Sequence, residues 1–383
     1  MADVAFAAAQ TDFAVGLLRE AAASSNASLI LSPISIALAL SLAYTGAGGD
    51  TRREFERVFA RGGINGNALG SHFRQTFAQL TAGNRSVALE LVNRAYVDRK
   101  LHVKAAYRKV LTANYGAAFQ QVDFKQQPEE AVAEINDFVA NATHQKIRDL
   151  LSSDDVDADT ALVLVNAVYF KGAWDEQFGE YATTDETFFA GGNTEQKVRM
   201  MRRQLGTMYG ETEDVQVLEL PYTDKATKFI VFLPKEKNGL NGWLQKVDGA
   251  GLLKMIDRMV PRQVEVSAER TLELPRFKIE ANFQLKEALQ NLGFSDGFDE
   301  EKANFSGISD EQLFISKAIH KAFIDVNENR SEAAAATVFK SYYKSAMIYP
   351  EGPARFRADR PFVFLISRER IPRFFGRYMG PSP

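Results

Sequence analysis

The sequence predicts an α+β fold in a single domain that spans residues 1–383. Two observations support this class. Apolar residues recur at helical spacing through much of the first 151 residues, whereas short β-branched and aromatic runs dominate the later part of the chain. No linker rich in Pro, Gly or Ser and no internal repeat divides the sequence, so we expect one domain, although the length alone allows two or three.

Helical spacing of apolar residues predicts helices at residues 12–22, 34–45, 52–59, 129–151, 240–259 and 283–292. The segment 34–45 is almost wholly apolar, which is typical of a helix buried on every side. Ser32-Pro33 suits its start and the glycine-rich residues 46–49 suit its end, because proline is favoured in the first helical turn. Thr51 is the expected N-cap of the charged helix that follows.

The strand predictions depend on β-branched and aromatic runs. Residues 161–170 are apolar almost without interruption, as expected of a central strand that is buried on both faces. Shorter runs predict further strands at residues 214–220, 227–233, 262–274, 313–326 and 361–366.

Residues 327–358 fit neither period. This stretch begins with charged residues, continues through four alanines and two adjacent tyrosines, and ends near Pro350 and Pro353. Connections of this length are usually functional or disordered. The function of the chain is therefore expected to lie in this segment.

Composition excludes several kinds of site. The chain has no cysteine, so disulfides, thiolate metal sites and a cysteine nucleophile are excluded. The histidines are scattered without HExxH spacing, at His72, His102, His144 and His320. We therefore expect neither a metal site nor a cofactor.

Charge and motifs exclude further classes. Lys and Arg number 46 against 49 Asp and Glu, which does not indicate a nucleic-acid or membrane-surface partner. The longest apolar run, residues 29–44, is too short and too polar to span a bilayer. There is no G-x-S-x-G elbow and no P-loop, and residues 46–49 lack the preceding strand of a dinucleotide-binding loop. Nothing in the sequence favours an enzyme.

The first residues, MADVAFAAAQTDF, make a poor signal peptide because Asp3 stands where basic residues are expected and Gln10 and Asp12 interrupt the apolar run. A cytoplasmic protein is the simpler interpretation. The alternative is a secreted protein numbered from its mature form. In that case the Asn-x-Ser/Thr triplets would be glycosylation acceptors, at Asn26, Asn84, Asn141, Asn304 and Asn329.

Short motifs recur in a defined order over some 350 residues. They are residues 26–35 followed by Gly46-Ala47 and Thr51; Ile135-Asn136, Val139, Thr143 and Lys146-Ile147; NAVYFKGAW at 166–174; LPRFK at 274–278; FSG at 305–307; SKAIHK at 316–321; PFVFLI at 361–366; and FGR at 375–377. Taken together they resemble the serpin family, specifically its inhibitory, ovalbumin-like members. Phe138 and Gln145 depart from the family pattern, in which Trp and Gly are usual.

The resemblance implies a serpin fold, with three β-sheets, about nine helices and an exposed reactive-centre loop at about residues 328–352. It implies a monomeric protease inhibitor without catalytic residues. It also assigns two groups of polar residues. A buried group beneath the central sheet, here called the shutter, contains Ser32, Ser35, Asn166 and His320. A second group at the top of the middle strands, here called the breach, contains Trp174, Arg276 and Glu328.

The resemblance places a hinge at the start of the loop, at Glu328, Arg330, Ser331, Glu332, Ala333, Ala334, Ala335, Ala336 and Thr337. If this segment inserts into the sheet as a strand, alternate residues face the core. The inward set carries no charge; it consists of Ser331, Ala333, Ala335, Thr337, Phe339 and Ser341. Such alternation suits a strand that forms only after cleavage.

Arg330 stands where inhibitory members generally have glycine. Arginine in place of glycine would cost about 0.5–1 kcal/mol of strain if the hinge requires a positive φ at this position. This departure leaves open a non-inhibitory serpin that acts as a carrier or chaperone.

The usual spacing of the family from the hinge glutamate puts the scissile bond at Lys344-Ser345. Lysine there suits a trypsin-like serine protease, whose acidic pocket pairs with the ammonium group. Cleavage followed by loop insertion would trap the acyl-enzyme, so the protein would act as a suicide substrate. Lys340 and the bonds near Met347-Ile348 are alternative cleavage positions. Tyr342-Tyr343 would instead suit a papain-like cysteine protease.

Overall fold

The structure is a computed structural model that describes residues 2–59, 66–81, 87–116, 119–157, 159–191, 194–204, 208–261, 271–328 and 355–381. Glu328 is the last described residue before the predicted loop. The predicted reactive bond, Lys344-Ser345, and the hinge residues 330–337 lie outside the described residues.

The described residues contain nine α-helices. They are α1 (Ala2–Ala23), α2 (Pro33–Gly46), α3 (Gly49–Phe59), α4 (Gly66–Thr81), α5 (Ala105–Tyr115), α6 (Pro128–Ala142), α7 (Leu240–Lys246), α8 (Gly249–Asp257) and α9 (Lys286–Asn291). The first β-strands are β1 (Leu29–Leu31), β2 (Val87–Asp98), β3 (Phe119–Val122), β4 (Leu162–Gly172), β5 (Thr184–Ala190), β6 (Thr194–Gln204), β7 (Met208–Glu211) and β8 (Val215–Pro221). The remaining strands are β9 (Thr227–Pro234), β10 (Val260–Pro261), β11 (Thr271–Pro275), β12 (Phe277–Gln284), β13 (Lys317–Val326), β14 (Arg355–Arg357), β15 (Phe362–Arg368) and β16 (Ile371–Tyr378).

Three sheets organise these strands. The five-stranded sheet has the order β12-β13-β4-β2-β3, the seven-stranded sheet β1-β16-β15-β9-β8-β7-β10, and the four-stranded sheet β14-β11-β6-β5. The predicted α+β class with three sheets is confirmed. In the five-stranded sheet β4 lies between β13, which is parallel to it, and β2, which is antiparallel.

Apolar clusters cover both faces of the five-stranded sheet. Val163, Val165 and Ala167 of β4 pack with Ile135 and Val139 of α6 on one face. On the other face, Leu162 and Leu164 join the cluster of α1 and α2, while Val168 and Phe170 join the cluster shared with the other two sheets. The middle of β4 is therefore buried on both sides, as its apolar sequence predicts.

Helix α2 is buried along nearly its whole length, as its uniformly apolar sequence predicts. It begins with Pro33 and ends at Gly46. The carbonyl oxygen of Gly46 accepts a hydrogen bond from Gly307 N at 3.0 Å. A Cβ atom on Gly307 would lie 2.7 Å from that oxygen, so the close approach of the two backbones requires glycine at position 307.

The helix predicted over residues 129–151 is shorter than expected, because α6 ends at Ala142. The next residue, Thr143, bonds its amide and its hydroxyl group to Val139 O. His144 and Gln145 then adopt φ values of 52° and 64°. A left-handed backbone ends the helix and costs an L-residue about 1–2 kcal/mol. This explains why glycine is usual in the family at the position of Gln145.

The prediction for Thr51 was also wrong. The helix α3 begins at Gly49, so Thr51 lies within its first turn and does not cap it. The hydroxyl group of Thr51 instead accepts a hydrogen bond from Asn304 N at 2.9 Å. The elements α4, α5 and β2 were not predicted, although apolar residues follow helical spacing in α4 and α5, for example at Tyr107, Leu111 and Tyr115.

Candidate functional site

A row of polar residues crosses the buried inner face of the five-stranded sheet. His320 of β13 stands opposite Asn166 of β4, and Asn166 stands opposite Asn93 of β2. Along β4, Asn166 lies between Leu164 and Val168 on the same face, since side chains alternate along a strand. The row therefore interrupts an otherwise apolar surface where two of the core clusters meet.

The start of α2 meets this row. Ser32 N donates to Nε2 of His320 at 3.0 Å. The Nδ1 atom of the same ring contacts Asn166 Oδ1. Because Nε2 accepts a hydrogen bond, a neutral ring carries its hydrogen on Nδ1 and donates it to Asn166.

Both ring nitrogens of His320 are thus used in the neutral form. Complete burial lowers the pKa of His320 from 6.5 to about 3. A second proton would have to sit on Nε2, against the Ser32 amide that already donates to it. The site therefore holds an uncharged histidine across the physiological pH range.

The Asn166 side-chain amide completes the contacts. Its nitrogen donates to Ser35 Oγ and to Asn93 Oδ1. The Ser32 hydroxyl group donates to Arg373 O at 2.7 Å. All four residues predicted for the shutter, Ser32, Ser35, Asn166 and His320, are brought together in this one buried cluster. Asn93 was not predicted, although an asparagine within the apolar run of β2 was a visible signal.

The shutter lies where β4 and β13 pair. Their parallel register runs from Val163 opposite Lys317 to Tyr169 opposite Phe323. The last three residues of each strand, 170–172 and 324–326, lie beyond this register. The two strands are therefore paired around the shutter and diverge towards their C-terminal ends.

The breach residues lie at those C-terminal ends. Trp174 follows β4, and its indole Nε1 donates to Asn327 O at 2.8 Å. Phe178 N donates to Glu328 O at 3.0 Å. The carboxylate of Glu328 is 3.6 Å from Arg276 Nη1, so these two breach residues form an ion pair. Three contacts thus hold the chain where it leaves β13.

The breach ion pair is unevenly buried. The side chain of Arg276 is 46% exposed, whereas that of Glu328 is 7% exposed. Solvent at the arginine screens the interaction, so its direct contribution to stability is small. The aromatic packing around Trp174 is more extensive: its ring stacks on Tyr222 at 4.7 Å and meets Phe178 edge-on at 6.1 Å.

A second buried polar cluster, which the sequence analysis missed, lies in the four-stranded sheet. Glu273 of β11 has a side chain that is 3% exposed and lies 2.6 Å from Arg355, 3.2 Å from Arg357 and 3.3 Å from Arg202. Glu186 contacts Arg202 and lies 3.2 Å from Arg357. These five residues, here called the β14 clamp, fix β14, which is the first element after the predicted loop.

Two other kinds of site are absent from the described residues. In that part of the chain no group of three His, Cys, Asp or Glu side chains is placed to hold a metal ion. Of the helices there, none combines the length and the apolar character needed to cross a bilayer.

Comparisons with known proteins agree with this architecture. A family model described as serpin (serine protease inhibitor) matches residues 8–381. Serpin B6 of Pongo abelii is 35% identical over 384 residues, which cover 98% of this chain and 99% of that protein. Leukocyte elastase inhibitor of Equus caballus is 36% identical over 379 residues, with 97% and 98% covered. Among solved structures, uncleaved ovalbumin matches with a TM-score of 0.86 and 27% identity, with 98% and 100% covered.

Proposed function

The chain belongs to the serpin family, and we propose that it is a suicide-substrate inhibitor of trypsin-like serine proteases that is cleaved at Lys344-Ser345. Relatives in this family are named as protease inhibitors, among them leukocyte elastase inhibitor. The proposal adds the mechanism, the cleavage position and the class of target protease.

The observation that carries the proposal is the parallel pairing of β4 with β13 in the middle of the five-stranded sheet. A strand that follows β13 and folds back between them would run antiparallel to both. It would replace one parallel interface by two antiparallel ones, and antiparallel pairing is slightly more stable per residue. The predicted loop directly follows Glu328, just past the end of β13. It is therefore the segment that could fold back in this way.

The breach and the shutter support the same mechanism. Beyond Tyr169 and Phe323 the two strands have no mutual register, so insertion can begin there without first breaking paired backbone. Further insertion must part the strands at the shutter, where Asn166 and His320 bond across the interface. We propose that the breach admits the loop and that the shutter sets the barrier to its passage.

Lys344 supports a trypsin-like target, because an aspartate in the pocket of such a protease pairs with a lysine ammonium group. One relative is named as an elastase inhibitor. Elastase-type pockets are small and accept short apolar side chains. An elastase-type target is therefore the second candidate, and it would require cleavage at another position, such as near Met347-Ile348.

The test is to mix the protein with trypsin and to look for a complex that survives SDS. We expect a covalent complex with the parent protein and with Lys340→Ala, which removes a neighbouring lysine. Lys344→Ala should give no complex with trypsin. Cleavage of the parent without a complex would favour a carrier or chaperone, whereas a complex with Lys344→Ala would show that the cleavage position is wrong.

A further inference from the structure

Tyr181 is unusually exposed. Among the described residues three large hydrophobic side chains are exposed: Tyr181 at 95%, Val110 at 41% and Val260 at 40%. The phenol ring of Tyr181 therefore projects almost entirely into solvent. An isolated exposed side chain needs no explanation, but tyrosine is among the residues most enriched as anchors at protein interfaces.

The segment that presents Tyr181 is well fixed. It is a single 3₁₀ turn, Glu180–Ala182, in which Ala182 N donates to Gly179 O at 2.9 Å. A Cβ atom on Gly179 would lie 2.6 Å from a ring carbon of Tyr181, so the absence of a side chain there lets the ring lie beside the turn. The backbone of the turn therefore determines from which point the ring projects.

The turn is attached to the core by Phe178. This side chain is buried, meets Trp174 edge-on at 6.1 Å and lies under the guanidinium group of Arg203 at 5.1 Å. We call residues 175–183 the Tyr181 platform. Because its base is packed against the core, little entropy is lost when the platform binds a partner.

The position of the platform connects it to the reactive-centre loop. Phe178 N donates to Glu328 O at 3.0 Å. Glu328 is the residue from which the loop departs, and Tyr181 is three residues along the chain from Phe178. The loop therefore starts next to the platform.

The platform is also acidic. Residues 175–183 contain three acidic residues and no lysine or arginine. Asp175, Glu176 and Glu180 are exposed around the tyrosine. Arg203, from the neighbouring strand, lies 3.5 Å from Glu176, but its side chain is buried beneath the platform. The outward surface thus combines an aromatic ring with carboxylates.

We propose that the Tyr181 platform is a second docking site for the protease that the loop engages, and that it takes a basic, partly apolar surface beside the protease's active-site cleft. This inference rests on the proposed function. The ring would fill an apolar recess, and the carboxylates would attract the approaching basic surface. Such contacts raise the rate of association without changing the fate of the acyl-enzyme.

The first test compares Tyr181→Ala with Val110→Ala, which removes apolar surface from α5. The measurement is the second-order rate constant for complex formation with trypsin, together with the number of inhibitor molecules consumed per trapped protease. We expect Tyr181→Ala to slow association about tenfold with unchanged stoichiometry, because a central aromatic anchor is lost. Val110→Ala should leave both quantities unchanged.

The second test concerns charge. Glu180→Lys should slow association at low salt, and the difference from the parent should shrink at high salt. Glu301→Lys, a matched change at another exposed position, should behave as the parent at both salt concentrations.

Several outcomes would overturn the inference. One is association of Tyr181→Ala at the parental rate. Another is a slower rate accompanied by a raised stoichiometry, which would mean that loop insertion had changed. A dimer of the parent that disappears in Tyr181→Ala would assign the surface to a second copy of the chain.

Failure of the proposed function has a different signature. The parent would then form no complex with trypsin, and kcat/KM for loop cleavage would replace the association rate. If Tyr181→Ala were cleaved as efficiently as the parent, the inference would fail as well. If it were cleaved about tenfold less efficiently, the docking site would stand without the inhibitory mechanism.

Discussion

The two ends of the predicted loop are attached to the molecule by different physical means. At its start, Glu328 is held by one ion pair with a half-exposed arginine and by one backbone hydrogen bond from Phe178. At its end, Arg355 and Arg357 converge on the buried carboxylate of Glu273. Both carboxylates are buried, but that of Glu328 faces one half-exposed arginine, whereas that of Glu273 is shared among three arginines.

This difference indicates which end moves. A surface ion pair contributes at most about 1 kcal/mol, whereas removing one partner of a buried pair costs about 3–5 kcal/mol. Under the proposed mechanism, the chain would part from its contacts at Glu328, while β14 would remain in the four-stranded sheet. Insertion would then proceed from the start of the loop.

The largest effect is expected from a charge on the segment that would insert. Ala333→Arg or Ala335→Arg should abolish the SDS-stable complex and convert the protein into a substrate of trypsin, because burying an unpaired guanidinium group costs several kcal/mol. Ala334→Arg is the matched control, since its side chain would face outward, and it should retain most of the inhibition. Equal effects at all three positions would contradict the proposed register.

The next largest effect is expected at the β14 clamp. Glu273→Ala leaves Arg202, Arg355 and Arg357 without their shared buried carboxylate, and should lower the free energy of unfolding by about 3 kcal/mol. Urea denaturation measures the change. Asp310→Ala, which breaks an exposed pair with Lys104, should change it by less than about 1 kcal/mol. If both variants lowered the free energy of unfolding by similar amounts, burial of the Glu273 carboxylate would add nothing to the strength of its ion pairs.

The shutter lies midway along the five-stranded sheet. Its contribution to the free energy of unfolding should depend on pH. The pKa of His320 is lowered from 6.5 to about 3, so between these pH values the unfolded chain binds a proton that the folded chain excludes. The stability due to this group is present above pH 6.5 and is lost as the pH falls, by about 1.4 kcal/mol per unit.

The measurement is the free energy of unfolding from about pH 4 to about pH 7. This range covers most of the interval between the two pKa values. His320→Gln should be less stable at pH 7 and should show a shallower decline towards low pH. An unchanged slope in His320→Gln would mean that the ring is protonated in the folded state.

The smallest effect on stability is expected at the breach. Arg276→Ala should lower the free energy of unfolding by at most about 1 kcal/mol, because the arginine is half-exposed and solvent screens the pair. Glu328→Lys places two cations together and should favour opening of the sheet between β4 and β13, so polymers should form faster on mild heating. Polymer formation at the same rate in the two variants would show that repulsion plays no part.

Sequence alone predicted the parts of the site that depend on short-range pattern or on the family resemblance. The continuous apolar run of β4 marked a doubly buried strand, and the resemblance selected Ser32, Ser35, Asn166 and His320. The β14 clamp was missed because its members are separated by up to 171 positions, from Glu186 to Arg357, and each looks like an ordinary surface charge. Only folding shows that Glu273 is buried among them.

The errors at helix ends have a similar origin. Ile147 and Leu150 are buried and continue the helical spacing of α6, so the pattern extends past Ala142. What ends the helix is the left-handed backbone at His144 and Gln145. Neither residue type demands that conformation, because non-glycine residues adopt it only when the surrounding structure imposes it.

The chain has two tryptophans, and their locations make the protein its own optical probe. Trp174 bonds to the carbonyl of Asn327 at the point where the loop departs, whereas Trp243 stacks on Phe232 at 5.6 Å in a different core cluster. Replacing Trp243 by phenylalanine leaves a single emitter whose indole N–H reports directly on the top of the sheet. Opening of that region can then be timed by fluorescence without attaching a dye.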